Sequence, residues 1–345
     1  MKVLVVGLGS IGQRHVRNLR TLAGTSVDLT AYRVRKLAPV LTEDMTVEAG
    51  TDVETRYNIA AFDRLEDALA DRPDAVLVCN PTRHHIPVAL AAAAAGCHLL
   101  VEKPLSDRYD GVDDLIRVVE QKRLVATVGY QMRFHPALQQ VRDLVDRQTI
   151  GRVFAVRAQF GEFLPAVHPY EDYRCSYAAR SDLGGGVVLS HSHELDYLYW
   201  LFGLPRRVFA LGGHLSRLEV DVEDTASIMM ECVVAGHTVP VHVSLNFAQR
   251  PPGRSLEIVG DAGTIRLDLR ALTFDVIDER GVLASTAPLD DFDRNELFLA
   301  ELRHFLACVQ GSARTRVSLR DAAQSLRMAL AARQSMDSGE VVELR

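Results

Sequence analysis

The stretch Val3–His15, VLVVGLGSIGQRH, decides how the rest of the chain is read. An apolar run ends at Gly7, and Gly7, Gly9 and Gly12 follow in the spacing G-x-G-x-x-G, where a helical pattern begins. In that setting the three glycines do different things. One makes the tight turn, one lets a pyrophosphate approach the backbone, and one permits close helix packing. Ser10 and Ile11 then open the helix whose N-terminus would receive the anion. The spacing alone is weak, because a plain strand-to-helix connection uses the same residues. Its weight comes from the first strand lying at the N-terminus and from four further β/α alternations.

Those alternations run from Met1 to about Val128. The predicted strands are VLVVG, VDLTAYR, AVLVCN, HLLVEK and VATVG, with helices beginning near Ile11, Leu65, Pro87 and Tyr109. Continuous apolar strands separated by helices predict a doubly wound parallel sheet covered on both faces. ALAAAAAG, ending at Gly96, reads as an alanine-rich helix packed closely on that sheet. After Gly129 the pattern changes. Helices are predicted over 137–148 and 190–201, and strands over 153–161, 207–215, 225–234, 237–247, 255–260 and 264–269, joined by turns such as DAG and ERG. Two closing helices span 295–310 and 319–335. The fold class is therefore α/β with a following α+β domain built on a mostly antiparallel sheet. The boundaries are 1–128 for a dinucleotide-binding Rossmann domain and 129–345 for the second, whose last helices are free to pack back on the first.

The 345 residues are 48% apolar, enough for two cores without covalent staples. A net charge of -6 leaves no basic surplus for a nucleic-acid duplex, so no nucleic acid is expected as a partner. No twenty-residue apolar span or signal-peptide pattern is present, so no membrane association and a cytoplasmic location are expected. The five cysteines are scattered without a CxxC pair and suggest neither disulfides nor a thiolate zinc site.

The second strand ends in AYRVRK. A domain of this kind that binds NAD commonly carries an acid there for the ribose 2′-hydroxyl, but this chain has Arg33, Arg35 and Lys36. Cations at that point suit a 2′-phosphate, which favours NADP(H) with NAD(H) as the alternative. The competing reading is of solvated charges at a strand edge.

The segment HLLVEKPL resembles the Gfo/Idh/MocA oxidoreductases, a family named for glucose–fructose oxidoreductase and inositol dehydrogenase, with Glu102-Lys103-Pro104 on its E-K-P signature. NPTRHH with Asn80, Pro81 and His85, GYQMRFHP at Gly129–Pro136, GGGVVLSHSHELD at Gly184–Asp196 and EIVGDAGT at Glu257–Thr264 follow in the family's order across essentially the whole chain. The resemblance implies a second domain with a large open sheet, assembly as a homodimer or homotetramer through that sheet, and hydride transfer between a nicotinamide and a sugar, nucleotide sugar or cyclitol. It also places Asn80, Pro81, His85, Glu102 and Lys103 at the cofactor.

Oxidation of a secondary alcohol releases a proton, so such a site needs an acid/base group within hydrogen-bond reach of the hydroxyl. Lys103 stands at the carboxyl end of a strand, where ligands of these sheets bind, and desolvation can lower a lysine pKa toward neutrality. Glu102 could orient it. His193 is the second catalytic candidate, at a helix start after a triple-glycine turn with serines able to cap. Many relatives carry an aspartate shortly before that histidine, and here the position is Ser190. His191 or Asp196 could compensate, or Asp196 could simply orient His193 from one turn away. Tyr130, Arg133 and His135 are expected to line the substrate cleft, Arg133 having an interdomain salt bridge as its other reading. His168, Asp172, Tyr173 and Arg174 in HPYEDYRCSYAAR suit a hydroxylated ligand, although a solvated loop has the same composition. His84-His85 and His191-x-His193-Glu194 do not converge on one ion, so no metal is expected. Two other classes share the resemblance: redox-neutral glycosidases that use the dinucleotide, and non-catalytic sensors that bind it.

Overall fold

The structure is a computed structural model that describes residues 1–34, 39–286 and 292–344. The chain forms two compact units. The first comprises Met1–Gln131, His168–Asp172 and Arg294–Ala323, and the second Met132–Val167, Tyr173–Asp293 and Gln324–Arg345.

In the first unit the strands are β1 (Lys2–Val6), β2 (Asp28–Tyr32), β3 (Val40–Leu41), β4 (Val47–Glu48), β5 (Ala60–Phe62), β6 (Ala75–Val78), β7 (His98–Val101) and β8 (Ala126–Val128). Six of them make a parallel sheet in the order β5-β2-β1-β6-β7-β8, while β3 and β4 form a separate antiparallel pair. The strands are apolar throughout because both faces are covered: Val3, Leu4, Val5 and Ala75–Val78 are almost wholly buried. Helices Ser10–Ala23 and His85–Ala94 belong to the covering layers, and helix Asn295–Val309 adds Leu302 and Phe305 to the core beside Val16 and Leu19. The five predicted strands are present. Short β3, β4, β5 and the five-residue helix Val53–Tyr57 are not predicted, since two- and three-residue elements carry no period to read.

The second unit holds a nine-stranded sheet. Its strands are β9 (Val153–Phe163), β10 (Arg207–Gly213), β11 (Thr225–Val234), β12 (His237–Asn246), β13 (Ala248–Gly260), β14 (Gly263–Asp268), β15 (Thr273–Asp278), β16 (Gly281–Thr286) and β17 (Val342–Glu343). Their order is β16-β15-β14-β13-β9-β12-β11-β10-β17, antiparallel except where β9 meets β12. Strict alternation sets the inward face: Val239, Val241, Val243 and Leu245 are buried on β12, as are Ala226, Ile228, Met230 and Cys232 on β11. Helices Val187–Ser190 and His193–Phe202 lie on that face against β9, β11 and β12. β13 begins seven residues earlier than predicted. Pro251 and Pro252 hide its first half, and its pairing with β9 is interrupted there, between Ala248 and Gly253.

Candidate active site

The order of the parallel sheet reverses between β1 and β6, and ligands of open α/β sheets bind where it does so, beyond the carboxyl ends of the strands. Three of the loops that leave the sheet at that end carry most of the candidate residues. The first is the glycine turn. Gly7 has φ +91°, and its N–H donates to the Tyr32 carbonyl at 2.9 Å. A Cβ on Gly7 would meet the Cys79 carbonyl oxygen at 2.9 Å, and one on Gly12 would collide with the Gly7 carbonyl. Over Gly9 there is nothing within 4 Å, and Gly9 occupies the N-cap of helix Ser10–Ala23 with no side chain capping it. The outer two glycines thus close the turn, and the middle one leaves open space at the N-terminus of the helix, whose first N–H groups have no partner within the helix. That is the shape and polarity a pyrophosphate requires. Ser10 and Ile11 form the first turn of this helix, with the Ser10 hydroxyl 3.5 Å from Met45 Sδ.

The second loop follows β6, where the Asn80 side-chain oxygen is buried with no hydrogen-bond partner among the described residues. Pro81 stands at the head of the short 3-10 turn Thr82–His84. The third follows β7 and carries Glu102, Lys103 and Pro104. His85 ties these two loops together: its Nδ1 lies 2.8 Å from the Pro104 carbonyl oxygen and its Nε2 2.8 Å from that of Asn80. Burial lowers the His85 pKa, opposed by the two carbonyls. Placed at the cofactor by the sequence reading, His85 is instead a buried clamp with both ring nitrogens engaged by main chain.

Glu102, read from the sequence as orienting Lys103 or meeting the cofactor, is held inside the unit. Its carboxylate is buried, with Oε1 2.7 Å from His15 Nε2 and Oε2 accepting the Lys103 N–H at 3.2 Å. His15 does not stand out in the sequence. Its signal is the helical spacing of Gly12, His15, Val16 and Leu19, all buried on one face of Ser10–Ala23. Lys103 itself is half-buried at the sheet's carboxyl end. Cys79 lies in the same interior, where burial, then Glu102 and Glu301, raise its thiol pKa well above the ordinary value. Arg33 follows β2 as predicted, and its guanidinium is paired with Glu54 of helix Val53–Tyr57. Arg35 and Lys36 lie outside the described residues.

Tyr130 is expected from the sequence to line the cleft. It is fully buried, so it presents no surface to a substrate, because the chain turns inward after β8. His168 and Asp172 also belong to the first unit. His168 Nδ1 is 3.1 Å from Glu171 Oε1 and its ring tilts against Tyr170, while Asp172 is exposed.

The second unit holds the remaining candidates. Arg133, read as a cleft residue or an interdomain bridge, makes a bidentate pair with Asp196 inside this unit, at 2.9 and 2.8 Å, and Ser325 adds a third bond to Asp196 at 2.9 Å. A guanidinium 4% exposed and doubly bonded to a fully buried carboxylate is part of the core. His193 opens helix His193–Phe202 and is buried; Ser192 makes no capping bond to it. Ser190 ends the preceding four-residue helix. His191 stacks on Phe160 at 4.0 Å, and its Nε2 is 3.1 Å from Oε1 of Glu162, which stands on β9. Glu194 is fully buried and bonds Arg254 at 2.6 Å. Burial and then the Arg254 charge push His135 down to about 4, while its Nδ1 caps helix Pro136–Asp146 by accepting the Ala137 N–H. Tyr173 accepts the Glu219 N–H at 3.1 Å, and exposed Arg174 pairs with the Glu219 carboxylate at 2.7 Å.

Among the described residues no three His, Cys, Asp or Glu side chains are grouped to hold a metal ion, and no helix is long and apolar enough to cross a membrane.

A glycine turn at the reversal point of a parallel sheet, followed by a separate open-sheet unit, is the architecture of a dinucleotide-binding protein. Residues 1–130 match the model of the Gfo/Idh/MocA oxidoreductase family with an NAD-binding Rossmann fold, and residues 138–266 match the family's C-terminal domain. The chain belongs to that family and is an NAD(P)-dependent oxidoreductase. It is 28% identical to myo-inositol 2-dehydrogenase of Thermotoga maritima over 352 aligned residues, covering 100% of this chain and 98% of the relative. It is 32% identical to UDP-N-acetylglucosamine 3-dehydrogenase of Acidithiobacillus ferrooxidans over 142 residues, 41% of each. Its fold matches the crystal structure of the WlbA dehydrogenase from Bordetella pertussis in complex with NADH and UDP-GlcNAcA, with TM-score 0.81 and 21% identity, covering 100% of this chain and 99% of that one.

Proposed function

We propose that this protein interconverts a secondary alcohol and a ketone on a sugar, nucleotide sugar or cyclitol, with NADP(H) preferred and NAD(H) as the alternative cofactor. The observation that carries the reading is the convergence of the glycine turn, the Asn80 loop and the Lys103 turn at the carboxyl end of one parallel sheet, with Gly7 packed on Cys79 and His85 joining the other two loops. The full-length likeness to an inositol dehydrogenase supports the cyclitol end of the substrate range.

The bound dinucleotide supplies the hydride acceptor at its nicotinamide. Gly9 and the first N–H groups of helix Ser10–Ala23 would hold the pyrophosphate, and Asn80 and Pro81 would border the same site. Lys103 takes the hydroxyl proton as the carbinol hydrogen leaves with its electron pair, and returns a proton to the oxygen in the reverse direction. His193 is the second acid/base group in this reading, with Ser190 where relatives carry a carboxylate. Tyr173 and Arg174 remain candidate substrate contacts, as do His168 and Asp172. Assembly as a homodimer or homotetramer through the outer sheet face belongs to the same proposal, supported by the exposed Leu211 and Met229 on adjacent strands β10 and β11. So does a cytoplasmic setting.

Nicotinamide absorbance followed with NADP⁺ or NAD⁺ and a panel of inositols, free sugars and nucleotide sugars tests the reaction. Lys103→Met is expected to lower turnover by about 10²- to 10⁴-fold while leaving cofactor affinity nearly unchanged. Undiminished turnover would remove Lys103 from the chemistry.

A further inference from the structure

We infer that His15 is a positioning residue for this reaction, acting through Glu102 on Lys103; the inference rests on the role proposed above for Lys103. His15 sits one turn after Gly12 on the helix whose N-terminus faces the pyrophosphate site, and its ring is fully buried. Nε2 points at Glu102 Oε1 from 2.7 Å, which assigns the ring proton to Nε2 and makes it the donor. Nδ1 is buried with no hydrogen-bond partner among the described residues, and the edge of the ring meets Phe298 at a centroid distance of 6.5 Å. Among the described residues the imidazole therefore makes one polar contact, and that contact is to Glu102.

The carboxylate so held has little freedom. Oε2 accepts the N–H of Lys103, and a Cβ on Gly129 would come within 3.1 Å of it, so the end of β8 crowds the carboxylate from the other side. A buried carboxylate needs its hydrogen bonds, and the neighbouring elements permit few alternatives to these two. Glu102 consequently fixes the backbone at the residue from which the lysine side chain departs. Because His15 and the pyrophosphate-facing N–H groups share one rigid helix, the bond also fixes the lysine turn relative to the cofactor. That alignment governs hydride transfer, and a displacement of about 1 Å at such a distance from the chemistry can cost about a hundredfold.

The test compares His15→Leu, which removes the donor, with His15→Gln, which keeps an N–H near the position of Nε2, and with Glu102→Gln. For each, kcat, KM, cofactor Kd by nicotinamide fluorescence and the isotope effect with substrate deuterated at the carbinol carbon are measured. His15→Leu is expected to lower kcat by about 10- to 100-fold, to raise the isotope effect on kcat, and to leave cofactor Kd within about threefold. His15→Gln should recover most of the loss, and His15→Leu should add little in the Glu102→Gln background. In the cofactor-free protein, ¹⁵N-histidine spectra should show an Nε2-protonated ring whose signal is absent in His15→Gln and moves in Glu102→Gln. If His15→Leu does not fold, His15→Gln, Glu102→Gln and the spectra carry the test. Lowered thermal stability with unchanged kcat and isotope effect would make His15 purely structural and overturn the inference. So would a ring signal indifferent to Glu102→Gln, or His15→Gln as impaired as His15→Leu. A wild type that turns over nothing in the substrate panel removes the reaction itself and this role with it.

Discussion

Arg33–Glu54 in the first unit and Arg133–Asp196 in the second are both guanidinium–carboxylate pairs, and they differ in burial and in what else the carboxylate holds. Arg133 and Asp196 are 4% and 0% exposed, joined by two bonds, with Ser325 on the same carboxylate. Arg33 and Glu54 are 14% and 23% exposed and stand where β2 ends, beside the glycine turn. The first arrangement is closed and braces the interior of its unit. The second leaves a partly solvated cation that an incoming anion can share. Residue type alone therefore does not separate a partly solvated arginine from a core arginine; burial and the number of partners do.

The largest expected effect breaks the closed pair. Asp196→Ala leaves a buried guanidinium facing an empty position, and the loss of stability in urea unfolding should be about 3–5 kcal/mol. Arg133→Met combined with Asp196→Leu should recover most of that loss, since apolar side chains of similar size need no partner. A loss below about 1 kcal/mol for the single variant would mean that water or other groups already satisfy Arg133.

This contrast also explains how far the sequence can be read. The parallel sheet is visible because each strand is a short apolar run with a helix behind it, and the glycine turn because its three glycines fall within six residues. Asp196 stands out only as a possible partner of His193, because a helical turn is the only distance a sequence displays directly. Its bond to Arg133 spans 63 residues and that of Glu194 to Arg254 spans 60, and no period or motif encodes either. Tyr130 and Arg133 look like cleft residues for the same reason: their polarity is evident in the sequence, but their burial is not. His15 lies between these cases. Its place on the buried face of its helix can be read from spacing, whereas its partner Glu102, 87 residues on, cannot.

A second expectation concerns the interior polar layer of the second unit. His135 is held neutral, with its pKa pushed down to about 4 by burial and the Arg254 charge, from an unfolded value near 6.5. Between those two values the unfolded chain binds the extra proton and the folded one does not. Stability is therefore fully present above about pH 6.5 and falls as pH drops toward 4, by about 3 kcal/mol for this group. Protonation would also remove the Nδ1 lone pair that caps helix Pro136–Asp146. Chemical denaturation at a series of pH values should show this slope in the wild type and a shallower one in His135→Asn. Parallel slopes would assign the acid sensitivity elsewhere, with His85, also lowered by burial, as the next group to replace.

The smallest expected effect sharpens the comparison itself. If Arg33 reads a 2′-phosphate, Glu54 competes with that phosphate for the same guanidinium. Glu54→Gln should then raise the ratio of kcat/KM for NADP⁺ over NAD⁺ by about three- to tenfold, worth about 1 kcal/mol, and Arg33→Ala should lower it. Asp196→Asn, altering the closed pair, should leave the ratio where it was even if it costs stability. The three variants thus separate charge at the cofactor from charge in the core. If Arg33→Ala leaves the ratio unchanged, the NADP(H) preference loses its support in the described residues, and Arg33 becomes a surface cation that Glu54 merely neutralises. If Glu54→Gln raises the ratio by lowering kcat/KM for NAD⁺ while Arg33→Ala leaves it unchanged, Glu54 meets the ribose itself, and the carboxylate missing from the end of β2 has been supplied by the helix Val53–Tyr57 instead.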